Sequence, residues 1–409
     1  MRTETIFSST FATGHCGCPI RLMRIEETLS TGEKITLLSS GNIFFDELES
    51  RIDESRTEIH FQVYIFLADE TGSRIANALL RAALRGVKIF LLMDAFGSSD
   101  FPDEMQHQLQ KAGVEIRRYG PLVRDGRFHI ARRLHRKVMI FDRKTAIVSG
   151  LNISDNYSDR GGSKAWLDFG VLLGGPVVDK LYAICLQRWL KKPLRKMPLM
   201  NMVTGKKSAV SLIHVRQNDW LRGLNEAHAS YRREIKNATQ SLFIVGGYFL
   251  PGGRIRKNLR QAAERGVRIK VILAEESDVA LQRNAVQYLY QWLLRNNIEI
   301  FEYLPSNVHG KVLIADKKMI LIGSYDLNNL STYTNIELNL DIAGETLAGA
   351  FQHELEKVTA DDCRLVTTEE LYRRNNLWRR FKYWSAYQIV KSFFVMTTWF
   401  ARKDEEEYQ

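Results

Sequence analysis

Two segments that read almost alike, 174 residues apart, restrict this chain more than anything else in it. Leu134-His135-Arg136-Lys137-Val138-Met139-Ile140-Phe141-Asp142 and Val308-His309-Gly310-Lys311-Val312-Leu313-Ile314-Ala315-Asp316 both give His-x-Lys, four residues and Asp. Both then enter a second apolar run. One such pattern arises by chance about once in a few hundred histidines at average composition. Two in matching contexts point to a chain built from two like halves. Residues two apart on an extended segment share a face, so each imidazole and its lysine can address one phosphate together. Asp142 and Asp316 fall where each strand ends and a tight hairpin begins, a framework position within the motif. Folding the hairpins about those turns predicts His135 opposite Asn152, Lys137 opposite Gly150, His309 opposite Asp326 and Lys311 opposite Ser324.

The repeat extends beyond the motifs. Ala82-Ala83-Leu84-Arg85-Gly86-Val87-Lys88-Ile89 returns as Ala262-Ala263-Glu264-Arg265-Gly266-Val267-Arg268-Ile269, 180 positions later. The second copy therefore has a shorter loop before its motif. Strands are expected at Ile35–Ser39, Ile59–Phe66, Val87–Met93, Val114–Tyr119 and Ser241–Phe249, with helices at Ile43–Ser55, Ser73–Leu84 and Pro102–Ala112 between them. This alternation, with Gly86 and Gly113 as helix stops, predicts an α/β sandwich. The expected organisation is a leader at 1–30 without fixed structure, a first half at 31–187, a basic linker at 188–207, a second half at 208–365 and a basic-aromatic tail at 366–409.

Hydrophobic residues make up 45% of the 409 positions, enough for one large or two medium cores. A formal charge of +11 favours an anionic partner, either nucleic acid or an acidic membrane surface. Four cysteines, Cys16, Cys18, Cys185 and Cys363, are too few and scattered for a disulfide framework, which suits a reducing compartment. Cys16 and Cys18 lack the second ligand pair of a zinc site. No apolar run reaches the roughly 18 residues of a spanning helix, and no signal-peptide core is visible at the N-terminus. Lipid would have to be reached from the water side. Three stretches could meet it: Gly120–Arg133 with Arg124, Arg127, Arg132 and Arg133; the linker with Leu194, Met197, Leu199, Met200 and Met202; and the tail from Leu371 to Phe400, where bases alternate with aromatics. The competing expectation for the tail is a helix packed on the main body.

The two motifs resemble those of the phospholipase D superfamily. The region from about Gly32 to Asp362 resembles the short bacterial cardiolipin synthases that lack N-terminal membrane spans, through Phe61-Gln62-Val63-Tyr64-Ile65-Phe66, Leu91-Leu92-Met93-Asp94-Ala95-Phe96-Gly97-Ser98, Gly150-Leu151-Asn152, Gly323-Ser324 and Asn335-Ile336-Glu337-Leu338-Asn339. The resemblance implies a duplicated phospholipase D-like α/β/α sandwich in which two pseudo-twofold halves share one central active site. It also implies a phosphohistidine intermediate and the joining of two phosphatidylglycerol molecules into cardiolipin and glycerol. Hydrolysis of phospholipid by the same residues is the alternative, with a nuclease further off. No nucleic acid partner is expected; the expected partner is an anionic bilayer containing phosphatidylglycerol, met peripherally on the cytoplasmic face of the bacterial cell membrane.

Breaking a phosphodiester requires charge neutralisation, a nucleophile and a proton for the departing oxygen. Two histidines and two lysines meet that list with neither metal nor cofactor. The expected catalytic set is His135, Lys137 and Asp142 with His309, Lys311 and Asp316. Asn152 and Ser324 are expected to help the lysines hold non-bridging oxygens, and Asp326 to line the substrate site. Asp168 and Glu337 are the candidates to orient the imidazoles, with the pairing left open. Asp326 stands where the resemblance expects Asn, and a carboxylate opposite His309 would raise that imidazole's pKa. His135 is therefore expected to be the nucleophile and His309 the acid, then the base.

Overall fold

The computed structural model describes residues 23–406 apart from 122, 125–126, 129–131, 161–163, 191–211 and 375. The first half runs β1 (Arg24–Thr28), β2 (Lys34–Ser39), α1 (Asn42–Glu54), β3 (Glu58–Val63), α2 (Glu70–Leu84), β4 (Lys88–Asp94), α3 (Asp103–Lys111) and β5 (Glu115–Tyr119). A small hairpin, β6 (Val123–Arg124) with β7 (Arg127–Phe128), leads to β8 (Lys137–Phe141), β9 (Thr145–Ser149), β10 (Phe169–Gly174) and α4 (Val177–Trp189). The second half runs β11 (Ile213–Asp219), β12 (Leu224–Asn225), α5 (Glu226–Asn237), β13 (Ser241–Gly246), α6 (Gly253–Glu264), β14 (Arg268–Ala274), α7 (Ala280–Arg295) and β15 (Ile298–Tyr303). It continues through β16 (Lys311–Ala315), β17 (Met319–Gly323), α8 (Asn329–Tyr333), β18 (Glu337–Ala343), α9 (Glu345–Asp361), β19 (Cys363–Leu365), α10 (Thr368–Arg374) and α11 (Leu377–Glu406).

The first sheet is ordered β1-β2-β10-β9-β8-β3-β4-β5 and the second β12-β11-β18-β17-β16-β13-β14-β15-β19. From β2 and from β11 onward the two orders correspond strand for strand up to β5 and β15. The duplication read from the sequence is thus a duplication of topology. Both faces of each sheet are buried, which is why the central strands are unbroken apolar runs. Along β8, Val138 and Ile140 enter a core common to both sheets, α4 and α9, while Met139 and Phe141 enter the core under α1, α2 and α3. In β16, Val312 and Ile314 join the common core, and Leu313 and Ala315 face the core under α5, α6 and α7.

The repeated Ala-Ala-x-Arg-Gly-Val has a mechanical meaning. Gly86 and Gly266 stop α2 and α6 at φ values of 88° and 87°, where a Cβ would be strained. The arginine before each glycine donates to carbonyls at the end of the neighbouring helix: Arg85 to Ile52 and Asp53, Arg265 to Lys236 and Ala238.

Three expectations require correction. The expected leader overlaps the fold: β1 pairs antiparallel with β2, and Met23, Ile25 and Leu29 are buried. Residues 1–22, with Cys16 and Cys18, lie outside the described residues, as do linker residues 191–211. The hairpin registers are one residue off. Lys137 pairs with Ser149, and Val312 with Ile322, because each turn holds three residues, with Asp142, Arg143, Asp316 and Lys317 all near φ 52–55°. Finally, Arg132 and Arg133 face protein acids. Arg132 donates to Asp219 at 2.5 and 2.6 Å, and Arg133 lies 3.6 Å from Asp94 and donates to the Gly120 carbonyl.

The tail joins the second half. Ala386, Val390 and Phe394 of α11 are buried against α7, and the Tyr387 and Tyr288 rings lie 4.7 Å apart. Among the described residues no helix is long and apolar enough to cross a membrane.

Candidate active site

The motif strands of the two sheets meet at the common core, and each half completes the other's site. Leu134 bridges to Ile336, and the His135 and Arg136 N–H groups donate to the Ile336 carbonyl at 3.0 Å. Reciprocally, Leu167 bridges to Val308, and the His309 and Gly310 N–H groups donate to the Leu167 carbonyl at 2.9 and 2.8 Å. This crossing decides the pairing of acids with imidazoles. His135 Nδ1 lies 3.0 Å from Glu337, and His309 Nδ1 lies 2.6 Å from Asp168. Gly150 makes room for the second pair, since a Cβ there would stand 2.3 Å from the Asp168 carboxylate.

The acids are equivalent in position but shifted in opposite directions. Burial alone would raise the Glu337 carboxyl, but His135, Lys137 and Ser324 hold it below its ordinary value. Its oxygens accept from Ser324 at 2.6 Å, Ser331 at 2.7 Å and Asn335 at 3.2 Å. Glu337 engages Nδ1 of His135, so chemistry at this ring falls to Nε2. Asp168 has fewer donors, His309 and the Phe169 N–H at 2.7 Å, and burial raises its carboxyl to about 7 despite Lys311 and Lys137. Burial, then the charges of Lys311 and Lys137, push His309 well below its usual value. The Asp168–His309 pair therefore titrates near neutrality through its carboxyl.

The lysines are interior. Lys137 Nζ donates to the His135 carbonyl at 2.7 Å, and Lys311 Nζ donates to that of His309, so each motif closes on itself. Burial, aided by Lys311, lowers Lys137 to about 7, and an arriving phosphate would restore its charge. Asp94, within the segment Leu91 to Ser98, accepts the Leu134 N–H at 2.8 Å and locks the first motif to the end of β4.

Several expected contacts lie elsewhere. Asp326 sits 3.5 Å from Lys311 Nζ, and its field acts on His135 while His309 feels the lysines, so it is not what tunes His309. The Ser324 hydroxyl is turned to Glu337, and Asn152 is engaged by the Tyr157 hydroxyl at 2.9 Å and the Ile65 N–H at 3.1 Å. Both thus brace the surroundings of the imidazoles. Asp142 and Asp316 lie at the far ends of β8 and β16. Asp142 accepts the N–H groups of Arg56, Thr57 and Glu58 and the Thr57 hydroxyl, and Asp316 those of Thr239, Gln240 and Ser241 and the Thr239 hydroxyl. Each ties its motif hairpin to the strand beside it.

We expect Asp142→Ala or Asp316→Ala to lower folding stability by about 2–4 kcal/mol, because several charge-assisted bonds to backbone N–H are lost together. Urea unfolding together with turnover per folded molecule checks this. An unchanged midpoint with a large fall in turnover would return both aspartates to the chemistry.

Tyrosines escaped the sequence reading. Tyr64 meets His135 edge-on with ring centroids 4.9 Å apart, and Lys137 Nζ lies 5.4 Å from its centroid. Tyr248 repeats this with His309 at 5.8 Å and Lys311 at 5.7 Å. Both follow the strand that pairs with a motif strand, β3 or β13, a positional signal the duplication already contained.

A family model described as cardiolipin synthase, PLD-like domain, matches residues 48–161 and 231–359. Cardiolipin synthase B of Escherichia coli (strain K12) is 32% identical over 379 residues, 90% of each chain. Cardiolipin synthase A of Pseudomonas putida is 28% identical over 344 residues, covering 81% of this chain and 70% of that protein. The structure of phosphatidylserine synthase from Haemophilus influenzae Rd KW20 shares the fold with a TM-score of 0.69 over 89% of this chain and 95% of its own, at 16% identity. With two motifs, crossed acids and a duplicated sheet in common register, the chain belongs to the phospholipase D-like cardiolipin synthase family.

Proposed function

We propose that the protein joins two phosphatidylglycerol molecules through a phosphohistidine on His135, releasing glycerol, at the cytoplasmic surface of an anionic bilayer. The observation that carries the mechanism is the crossed pairing of two imidazoles at one site, His135 on a Glu337 held by Ser324, Ser331 and Asn335, and His309 on an Asp168 held by the Phe169 N–H. His135 Nε2 attacks the donor phosphorus, and the bond to the headgroup glycerol oxygen breaks. That oxygen takes its proton from the His309–Asp168 pair, and glycerol leaves. The deprotonated pair then removes the headgroup hydroxyl proton of a second phosphatidylglycerol. Its oxygen attacks phosphorus, the P–N bond breaks, and cardiolipin forms with both histidines returned to their starting states. Lys137 and Lys311 balance the charge of the non-bridging oxygens throughout.

Given phosphatidylglycerol vesicles, the purified protein should release glycerol and accumulate cardiolipin, with phosphatidic acid a minor product. Excess glycerol should drive the reaction backwards. Phosphatidic acid as the main product would make the protein a hydrolase, and cleavage of DNA without action on lipid would overturn the reading.

A further inference from the structure

We infer that the outward stripe of α11 is the surface on which this protein seats against an anionic bilayer; the inference rests on the proposal that its substrate is a bilayer phospholipid. At 100° per residue, Ala386, Val390, Phe394 and Thr397 form one stripe of α11, and all are buried. Large apolar side chains also lie on the outward side of α11, about half or more exposed: Trp378 72%, Phe381 56%, Ile389 55%, Val395 62% and Met396 49%. Ser385, Gln388 and Ser392 interrupt this side, but five large apolar side chains exposed on one helix exceed what a water-facing surface carries and mark an interaction site.

Charge selects the occupant. Arg380, Lys382 and Lys391 are exposed beside the ridge, and no acidic residue occurs between Leu377 and Ala401. A second copy docked face to face would bring these cations against one another, whereas anionic headgroups supply the opposite charge. Trp378, Trp384 and Tyr383 are residue types that favour the water–lipid boundary. Because the inner stripe is packed, α11 is a fixed keel rather than a free tether. It also packs against α8, whose Ser331 hydroxyl donates to Glu337, the acid holding His135. Through α8, α11 is packed onto the layer that positions His135.

The test uses the full chain carrying Phe381→Ser, Ile389→Ser and Val395→Ser together, and separately Arg380→Glu with Lys391→Glu. Co-sedimentation with phosphatidylglycerol vesicles should fall by at least about 10-fold in each, with unfolding midpoints unchanged, since every altered side chain is exposed. Turnover on vesicles should fall in step, while turnover on short-chain phosphatidylglycerol dispersed as monomers stays within about 2-fold. Unchanged vesicle binding in both variants overturns the inference. So does a wild-type dimer that the triple variant splits into monomers, which would assign the ridge to a second copy. Vesicle binding is read without catalysis, so a protein that binds through α11 yet makes no cardiolipin overturns only the proposed reaction.

Discussion

Alanine at His135 is expected to lower phosphatidyl transfer by about 10⁴-fold or more, alanine at His309 by a similar factor, and the double variant to be no slower than either. The reason is structural. The two imidazoles stand at one site held across the halves, His135 by Glu337 and His309 by Asp168. Without His135 there is no covalent intermediate to resolve. Without His309 the departing glycerol oxygen has no proton and the acceptor hydroxyl has no base. Steady-state turnover of the three variants checks this, and a double variant slower than both singles by the product of their losses would show two independent sites.

A second large effect should separate the two carboxylates. Asp168→Asn is expected to lower turnover by about 10²–10⁴-fold, since the pair loses its exchangeable proton. Its effect on stability should depend on pH. The Asp168 carboxyl sits at about 7 in the folded protein and near 3.9 in the unfolded chain, so the folded state binds the extra proton. The Asp168 contribution to stability then falls as pH rises between about 4 and about 7, against an opposite contribution from His309, and Asp168→Asn removes the first. Glu337 has the opposite sign. Its folded value is depressed, so its contribution is present above the unfolded pKa and is lost as pH falls through the lower folded value. Glu337→Gln should therefore cost as much at pH 5.5 as at pH 8, its cost shrinking only below about pH 4.5. Urea unfolding of both variants at about pH 5.5 and pH 8 decides the matter; the same pH dependence for both would remove the asymmetry on which the acid and nucleophile assignments rest.

Much of this was legible because the duplication writes itself twice. Two like motifs and the two Ala-Ala-x-Arg-Gly-Val segments locate the motif strands, the helix stops and one half against the other. What stayed hidden depends on contacts between distant segments. Asp168 and Glu337 could be named as acids but not assigned, because their crossing comes from the Leu134–Ile336 and Leu167–Val308 bridges. Asn152 and Ser324 have the right chemistry to hold a phosphate, yet Tyr157 and Glu337 claim them. The hairpin register slipped because turns of two and three residues differ only in φ at Asp142 and Arg143. β1 carries a single clear apolar alternation at Ile25, too short a pattern to separate from a leader. For α11, apolar residues on both stripes erase the one-sided periodicity that would have distinguished packed helix from interfacial helix, and the structure shows one face packed and the other exposed.

The account turns on His135 as the nucleophile and the His309–Asp168 pair as the acid, and a single trapping measurement addresses it. The wild-type protein is mixed with phosphatidylglycerol labelled at phosphorus, quenched in alkali within the first turnover, digested and mapped, beside His135→Ala. Alkali-stable label on the peptide containing His135, none on that containing His309, and none on His135→Ala is the predicted result. Label on the His309 peptide, or turnover to cardiolipin with no protein-bound phosphorus at any time, would contradict it.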